Sequence, residues 1–324
     1  MFKMKIDRDD FSQNLNSNTP LVALKDAEIT PFNYVREDYD FTPRVEFPQL
    51  FWSIVPTLRM QIGGPDGFFF GNLRLTGKAE LSLARNFSVK ASASYGLTDN
   101  FANLKLASDS VLPHVRTDIV SYLRATRGNL SIARLDASYY IQPKPNIFLK
   151  LQGGILESMF NGYGFEALYR DYNKNYAIGI DAWKVDQREY RQLFDTLDYS
   201  TVTGHLTYYY FEPNSRILFT IRGGKYLAKD SGFTFNASRA FKTGFRVGVY
   251  FSLTDISAFE FGEGSFDKGF YFFMPVEAFW GNYSKESTGF GLRPLTRDGA
   301  AFMRHSHSLY GVTEQAELNN FTRD

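Results

Sequence analysis

Charged side chains gather where the sequence also bends. Glu263, Asp267 and Lys268 sit in the glycine-rich run Phe261-Gly262-Glu263-Gly264-Ser265-Phe266-Asp267-Lys268-Gly269. Carboxylates hydrogen-bond hydroxyls well, so this loop suits contact with a sugar or a protein partner. The plainer role is a tight turn in which Asp267 pairs with Lys268 or with an Arg on a neighbouring strand. Arg293, Arg297 and Asp298 fall in Arg293-Pro294-Leu295-Thr296-Arg297-Asp298-Gly299. They suit a pore wall that attracts an acidic polysaccharide, or an internal ion-pair brace, and the brace is the commoner arrangement. Arg116 and Asp118, with Glu157 and Arg170, complete the candidate contacts. Glu157 and Arg170 read as a cross-strand pair.

Catalytic and metal chemistry find less support. Cysteine is absent, which removes disulfides and thiolate ligands. His305 and His307 share a strand face, and His205 lies far along the chain. Zinc needs three or four ligands in reach, and no third His or Cys stands near that pair. Asp and Glu are abundant, but no spacing singles out a glycosidase pair. Neither a phosphate loop nor a nucleophile elbow is present. No catalytic residue, metal or cofactor is expected.

The segments that must position these groups are strands. Phe245, Val247, Val249, Phe251 and Leu253 alternate with Arg246, Gly248, Tyr250 and Ser252. The same alternation runs through Leu73–Leu83 and Phe87–Thr98. Successive side chains on a strand point to opposite faces, so each segment has one apolar and one polar face. About 12–14 such strands can be counted, the weakest at 288–295 and 303–310. Short turns, such as 84–86, 142–146, 171–175 and 212–215, alternate with longer connections at 99–129, 187–200 and 257–265.

A water-soluble sandwich shares this alternation. Three features favour lipid against the apolar face. Many strands reach the 9–11 residues that cross a bilayer at a tilt. The apolar faces end in aromatic residues, as at Phe51, Trp52, Tyr95, Tyr208 and Tyr210, which suits interfacial girdles. The polar faces are rich in Gly, Ser and Thr with isolated charges. No run of 18 apolar residues exists, so no transmembrane helix is expected. The charged start, Met1–Asp10, lacks an apolar signal core. With 36 basic and 35 acidic residues the chain is no nucleic-acid binder. The expected fold is therefore all-β: an antiparallel up-and-down transmembrane β-barrel. The expected division is an extension or linker at 1–46, the barrel at 47–311 and a tail at 312–324.

The loops carry a resemblance. Gly63-Gly64-Pro65-Asp66-Gly67-Phe68, Val115-Arg116-Thr117-Asp118, Leu156-Glu157-Ser158-Met159-Phe160, Leu168-Tyr169-Arg170 and Tyr226-Leu227-Ala228-Lys229-Asp230 occur in that order. The two charged runs quoted at the outset follow them. Together, over residues 45–310, the chain resembles the C-terminal part of the YjbH/GfcD family of exopolysaccharide and capsule proteins. The resemblance implies a Gram-negative outer-membrane barrel that serves polysaccharide assembly or export. The implied partners are outer-membrane lipid, surface polysaccharide and other polysaccharide-assembly envelope proteins. Alternatives are a closed barrel that only docks partners, and an envelope enzyme acting on glycan or lipid.

Overall fold

The structure is a computed structural model describing residues 2–9, 28–31, 45–62, 66–105, 108–241, 243–262, 265–275, 287–292, 297–304 and 307–314. Two short strands near the start, β1 (Phe2–Lys5) and β2 (Glu28–Pro31), pair with each other. The remaining strands form one sheet. They are β3 (Gln49–Ile62), β4 (Phe69–Ala84), β5 (Phe87–Asp99), β6 (Leu130–Lys144), β7 (Ile147–Ile155), β8 (Phe160–Arg170) and β9 (Tyr176–Arg188). After them come β10 (Thr196–Glu212), β11 (Ile217–Lys225), β12 (Ser231–Ala240), β13 (Arg246–Thr254), β14 (Asp267–Pro275) and β15 (Ser287–Leu292). Each of these strands, among the described residues, pairs antiparallel with its neighbours in the sheet, giving a 13-stranded up-and-down sheet. Among the described residues, β3 and β15 each keep one unpaired edge.

Turn chemistry sets the alternation of connections. At the β10–β11 turn the Glu212 carboxylate accepts from the backbone N–H groups of Asn214 and Ser215 and from the Ser215 hydroxyl. That closes the chain on itself in a few residues. The opposite end carries the long connections. Residues 100–129 contain a helix at Ile119–Arg124. Near that end Gly162 has φ +150°, and an added Cβ would run into the Lys184 carbonyl across the ladder. Only glycine fits such a position without strain.

The two faces of the sheet are the reverse of a soluble sandwich. On β10, Thr201, Thr203, His205 and Thr207 are at most 6% exposed, while Val202, Leu206, Tyr208 and Tyr210 are 40–59% exposed. On β13, Val247, Val249, Phe251 and Leu253 are all exposed and Ser252 is buried. Polar side chains line the inner face and apolar ones the outer.

A strap formed by residues 297–304 and 307–314 covers that inner face. Its first part lies among the long connections, where Leu227 N–H donates to the Ala301 carbonyl and Arg222 of β11 lies over the Phe302 ring. Its last part, the helix Leu309–Glu314, reaches the short-turn end. On the way it meets Lys90 of β5 and Lys150 of β7 through His307, Glu166 and Arg170 of β8, Tyr209 of β10 and Arg246 of β13. A flat sheet would spread β5 to β13 over about 38 Å, so the sheet curves around the strap with its polar face concave. Met303 and Arg304 stand outside any strand and Leu309 and Tyr310 are helical, so the strand expected at 303–310 is not formed. Of the expected tail at 312–324, Val312–Glu314 belong to that helix and 315–324 lie outside the described residues.

Candidate functional site

At the long-connection end, several loops fold over one another into a cap. Its core is Val115, Tyr122, Leu156, Met159, Phe160, Trp183, Val185, Leu227, Ala228, Ala301 and Met303, each at most 5% exposed. Apolar packing here accompanies buried charge. Arg116 donates to Glu157 at 2.8 Å and to the Phe302 carbonyl at 2.8 Å, and its guanidinium lies over Phe160. Asp298 accepts from Arg116 N–H at 2.7 Å, Thr117 N–H at 3.0 Å and the Thr117 hydroxyl at 2.7 Å. Three donors satisfy the carboxylate where water is excluded. The strap is thereby stitched to the loop after β5 and to the turn between β7 and β8.

Asp118 turns to the other side of the same loop, where His114 and the Tyr190 hydroxyl each approach it at 3.0 Å. Partial burial opposes charging His114, but the Ser110 carbonyl and the Asp118 carboxylate outweigh it and raise its pKa. Asp230 accepts from Ala300 N–H at 2.7 Å, and burial pushes its carboxyl above the usual range.

The expected pairing of Glu157 with Arg170 does not occur. Glu157 lies just before β8 and Arg170 is its last residue, about 30 Å away at the rise of a strand. Glu157 belongs to Arg116, and Arg170 donates to the Tyr310 carbonyl and the Thr313 hydroxyl while lying 4.2 Å over the Tyr310 ring. Arg297 pairs with Asp109 at 2.9 Å, and Asp298 is held as described, so both act as braces here. Asp267 is buried on the inner face, whereas Lys268 turns outward over Phe266. Glu263, Arg293 and His305 lie outside the described residues. His205 meets Asp181 at 3.2 Å and packs on Tyr226. Of the expected contact residues, then, the fold gathers Arg116, Glu157 and Asp298 at one place and sends Arg170 to the other end.

Several residues that the sequence did not single out do comparable work. Arg188 sends hydrogen bonds to the carbonyls of Ile132, Glu157, Ser158 and Leu193, tying the β7–β8 and β9–β10 connections to strand β6. Mid-sheet, Lys150 pairs with Glu166 at 2.7 Å, and each also grips the strap: Lys150 at the His307 carbonyl, Glu166 at Leu309 N–H. The signal for the strap was present in these strands. Lys150, Glu166 and Arg170 fall on polar faces at depths where ions need partners, and something had to supply them.

A curved up-and-down sheet with an apolar outside and a strapped, ion-paired inside defines the structural class. Residues 1–315 match the family described as exopolysaccharide biosynthesis protein YbjH, and the chain belongs to this YjbH family. It is 34% identical over 275 residues to a protein of Escherichia coli strain K12 named "Uncharacterized lipoprotein YjbH". That alignment covers 83% of this chain and 39% of the relative, so the chain spans well under half of the relative's length.

Proposed function

We propose that this chain is an outer-membrane β-barrel, without catalytic activity, that serves the assembly or export of an exopolysaccharide. The observation that carries the reading is the reversal of the sheet's faces: threonines and a histidine buried within, Val, Leu and Tyr presented outside. Water gives no reason for that order, whereas hydrocarbon does. Strands of 9–17 residues, as in β4–β14, are long enough to cross a bilayer. Curvature about the strap brings the sheet toward closure, and a membrane strand cannot leave its edge unpaired. The relative's description as a lipoprotein supports an envelope setting. Membership of an exopolysaccharide biosynthesis family supports the polymer as the object of the work.

The interior favours a strapped barrel over a freely open channel. Arg116, Lys150, Arg170 and Arg246 all hold strap or cap rather than facing empty space. In planar bilayers the intact chain is expected to pass little current. Removing the strap grips together, as Lys150→Met with Arg170→Met, is expected to bring frequent openings. Purified chain that stays monodisperse in buffer without detergent would overturn the membrane reading.

A further inference from the structure

Arg116, Lys150 and Arg246 meet the carboxylates of Glu157, Glu166 and Glu314, and Arg188 and Arg222 meet carbonyls, a hydroxyl or a ring. One corner breaks the rule. In the β3–β4 register Thr57 lies opposite Arg74 and Arg59 lies opposite Asn72, so Arg59 and Arg74 are diagonal neighbours. They share the inner face with Thr57 and Thr76, whose hydroxyls touch at 2.5 Å. Diagonal neighbours on a sheet are within reach of long side chains. Among the described residues neither guanidinium has an ion-pair partner, and Arg74 Nε is buried with no hydrogen-bond acceptor. Arg304 of the strap adds a further positive charge near Arg59. Crowded like charges and an unmet buried N–H both cost stability. Arg188 and Arg222 offset such costs with carbonyls, a hydroxyl or a ring, and here the cost is left standing.

Beside the arginines runs a short ladder of hydroxyls. It continues from Thr76 Oγ1 to Ser94 Oγ at 2.9 Å. A guanidinium fork matches an oxyanion with two parallel hydrogen bonds. Hydroxyls both donate and accept, as the ring hydroxyls of a sugar do. We infer that this corner binds an anionic sugar residue, with its carboxylate or phosphate on Arg59 and Arg74 and its ring hydroxyls on Thr57, Thr76 and Ser94. The inference rests on the proposed role in handling polysaccharide and narrows it to acidic polymers.

The test is calorimetric titration of the full 324-residue chain in detergent micelles. Three probes are used: an oligoglucuronate, a neutral oligoglucose of equal length, and inorganic phosphate. Oligoglucuronate should bind, more weakly as salt is added, while oligoglucose should not. Arg74→Gln and Arg59→Gln should each weaken that binding roughly tenfold or more. Arg74→Lys should fall between, because it keeps the charge and loses the fork. Thr57→Val should weaken oligoglucuronate and leave phosphate unchanged. Equal binding of the neutral and acidic oligomers would overturn the site. So would phosphate binding alone with both sugars ignored, or a folded Arg74→Gln chain that binds as before. If a Gln variant fails to fold, the three-probe comparison on the unaltered chain still decides. A chain that inserts into bilayers yet ignores oligoglucuronate refutes the site and spares the barrel.

Discussion

Arg116 shows how much one residue can join. Its backbone N–H meets Asp298 and its side chain meets the Phe302 carbonyl, both in the strap, while the side chain also meets Glu157 in the β7–β8 turn. Removing one partner of a buried pair leaves the other charge stranded, which typically costs about 3–5 kcal/mol. Glu157→Ala is therefore expected to loosen the cap by that order, read as lost hydrogen-exchange protection at 113–126 and 297–304. His114 gives the same loop a pH dependence. Its folded pKa lies above the unfolded value of about 6.5. The stability it adds is complete below that value and is lost as pH rises through the raised one. Proteolysis within 108–118 should accordingly accelerate between mildly acidic and mildly alkaline pH, and His114→Gln should flatten the profile. Sequence marked Arg116, Glu157 and Asp298 as charges worth explaining, and they do meet. It misassigned the partner of Glu157, because a loop residue's neighbour depends on where three connections cross. Periodicity carries no information about that.

At the level of elements, alternation was the reliable guide. The clear segments between Leu50 and Pro275 became strands of the one sheet, and turns close near the expected 84–86 and 212–215, while β6 runs on through Lys144 and leaves only 145–146 of the expected 142–146. The strap was invisible to the same reasoning. Met303–Tyr310 has strand-like spacing of apolar residues, yet those residues go to separate clusters: Met303 to the cap, Leu309 and Tyr310 to the short-turn end. Only the unmatched ions on the strands' polar faces hinted at it. Close approach between strands sets another limit. Gly162→Ala should cost about 1–3 kcal/mol from backbone strain alone, with more from collision with the Lys184 carbonyl. Urea unfolding in detergent, compared with Gly291→Ala where an added Cβ meets only ordinary contacts, would measure it.

For the molecule as a whole the decisive question is whether the apolar outer face meets lipid or water. Val249 is 54% exposed on the outer face of β13, between Val247 and Phe251. Val249→Arg is expected to cost about 2–4 kcal/mol if that position sits at the bilayer midplane. The same substitution would be nearly neutral on a surface facing water. Folding into liposomes followed by heat-dependent gel migration separates the two outcomes. Composition gave no sign of a nucleic-acid surface or of a helical span, and alternation gave two-faced strands. Which face turned inward could not follow from alternation, because a sandwich and a barrel share it; burial in three dimensions supplied that direction.

The count of strands has its own consequence. In a meander the direction reverses at each step, so with thirteen members among the described residues the first and last of these point the same way. A seam between β3 and β15 would run parallel, with slanted bonds slightly weaker per residue than the antiparallel ones elsewhere. It would join a strand of 14 residues to one of 6, and Pro56 on the longer brings no N–H to zip with. If the wall ever parts to let a bulky polymer or a neighbouring protein in sideways, that joint is where it gives first.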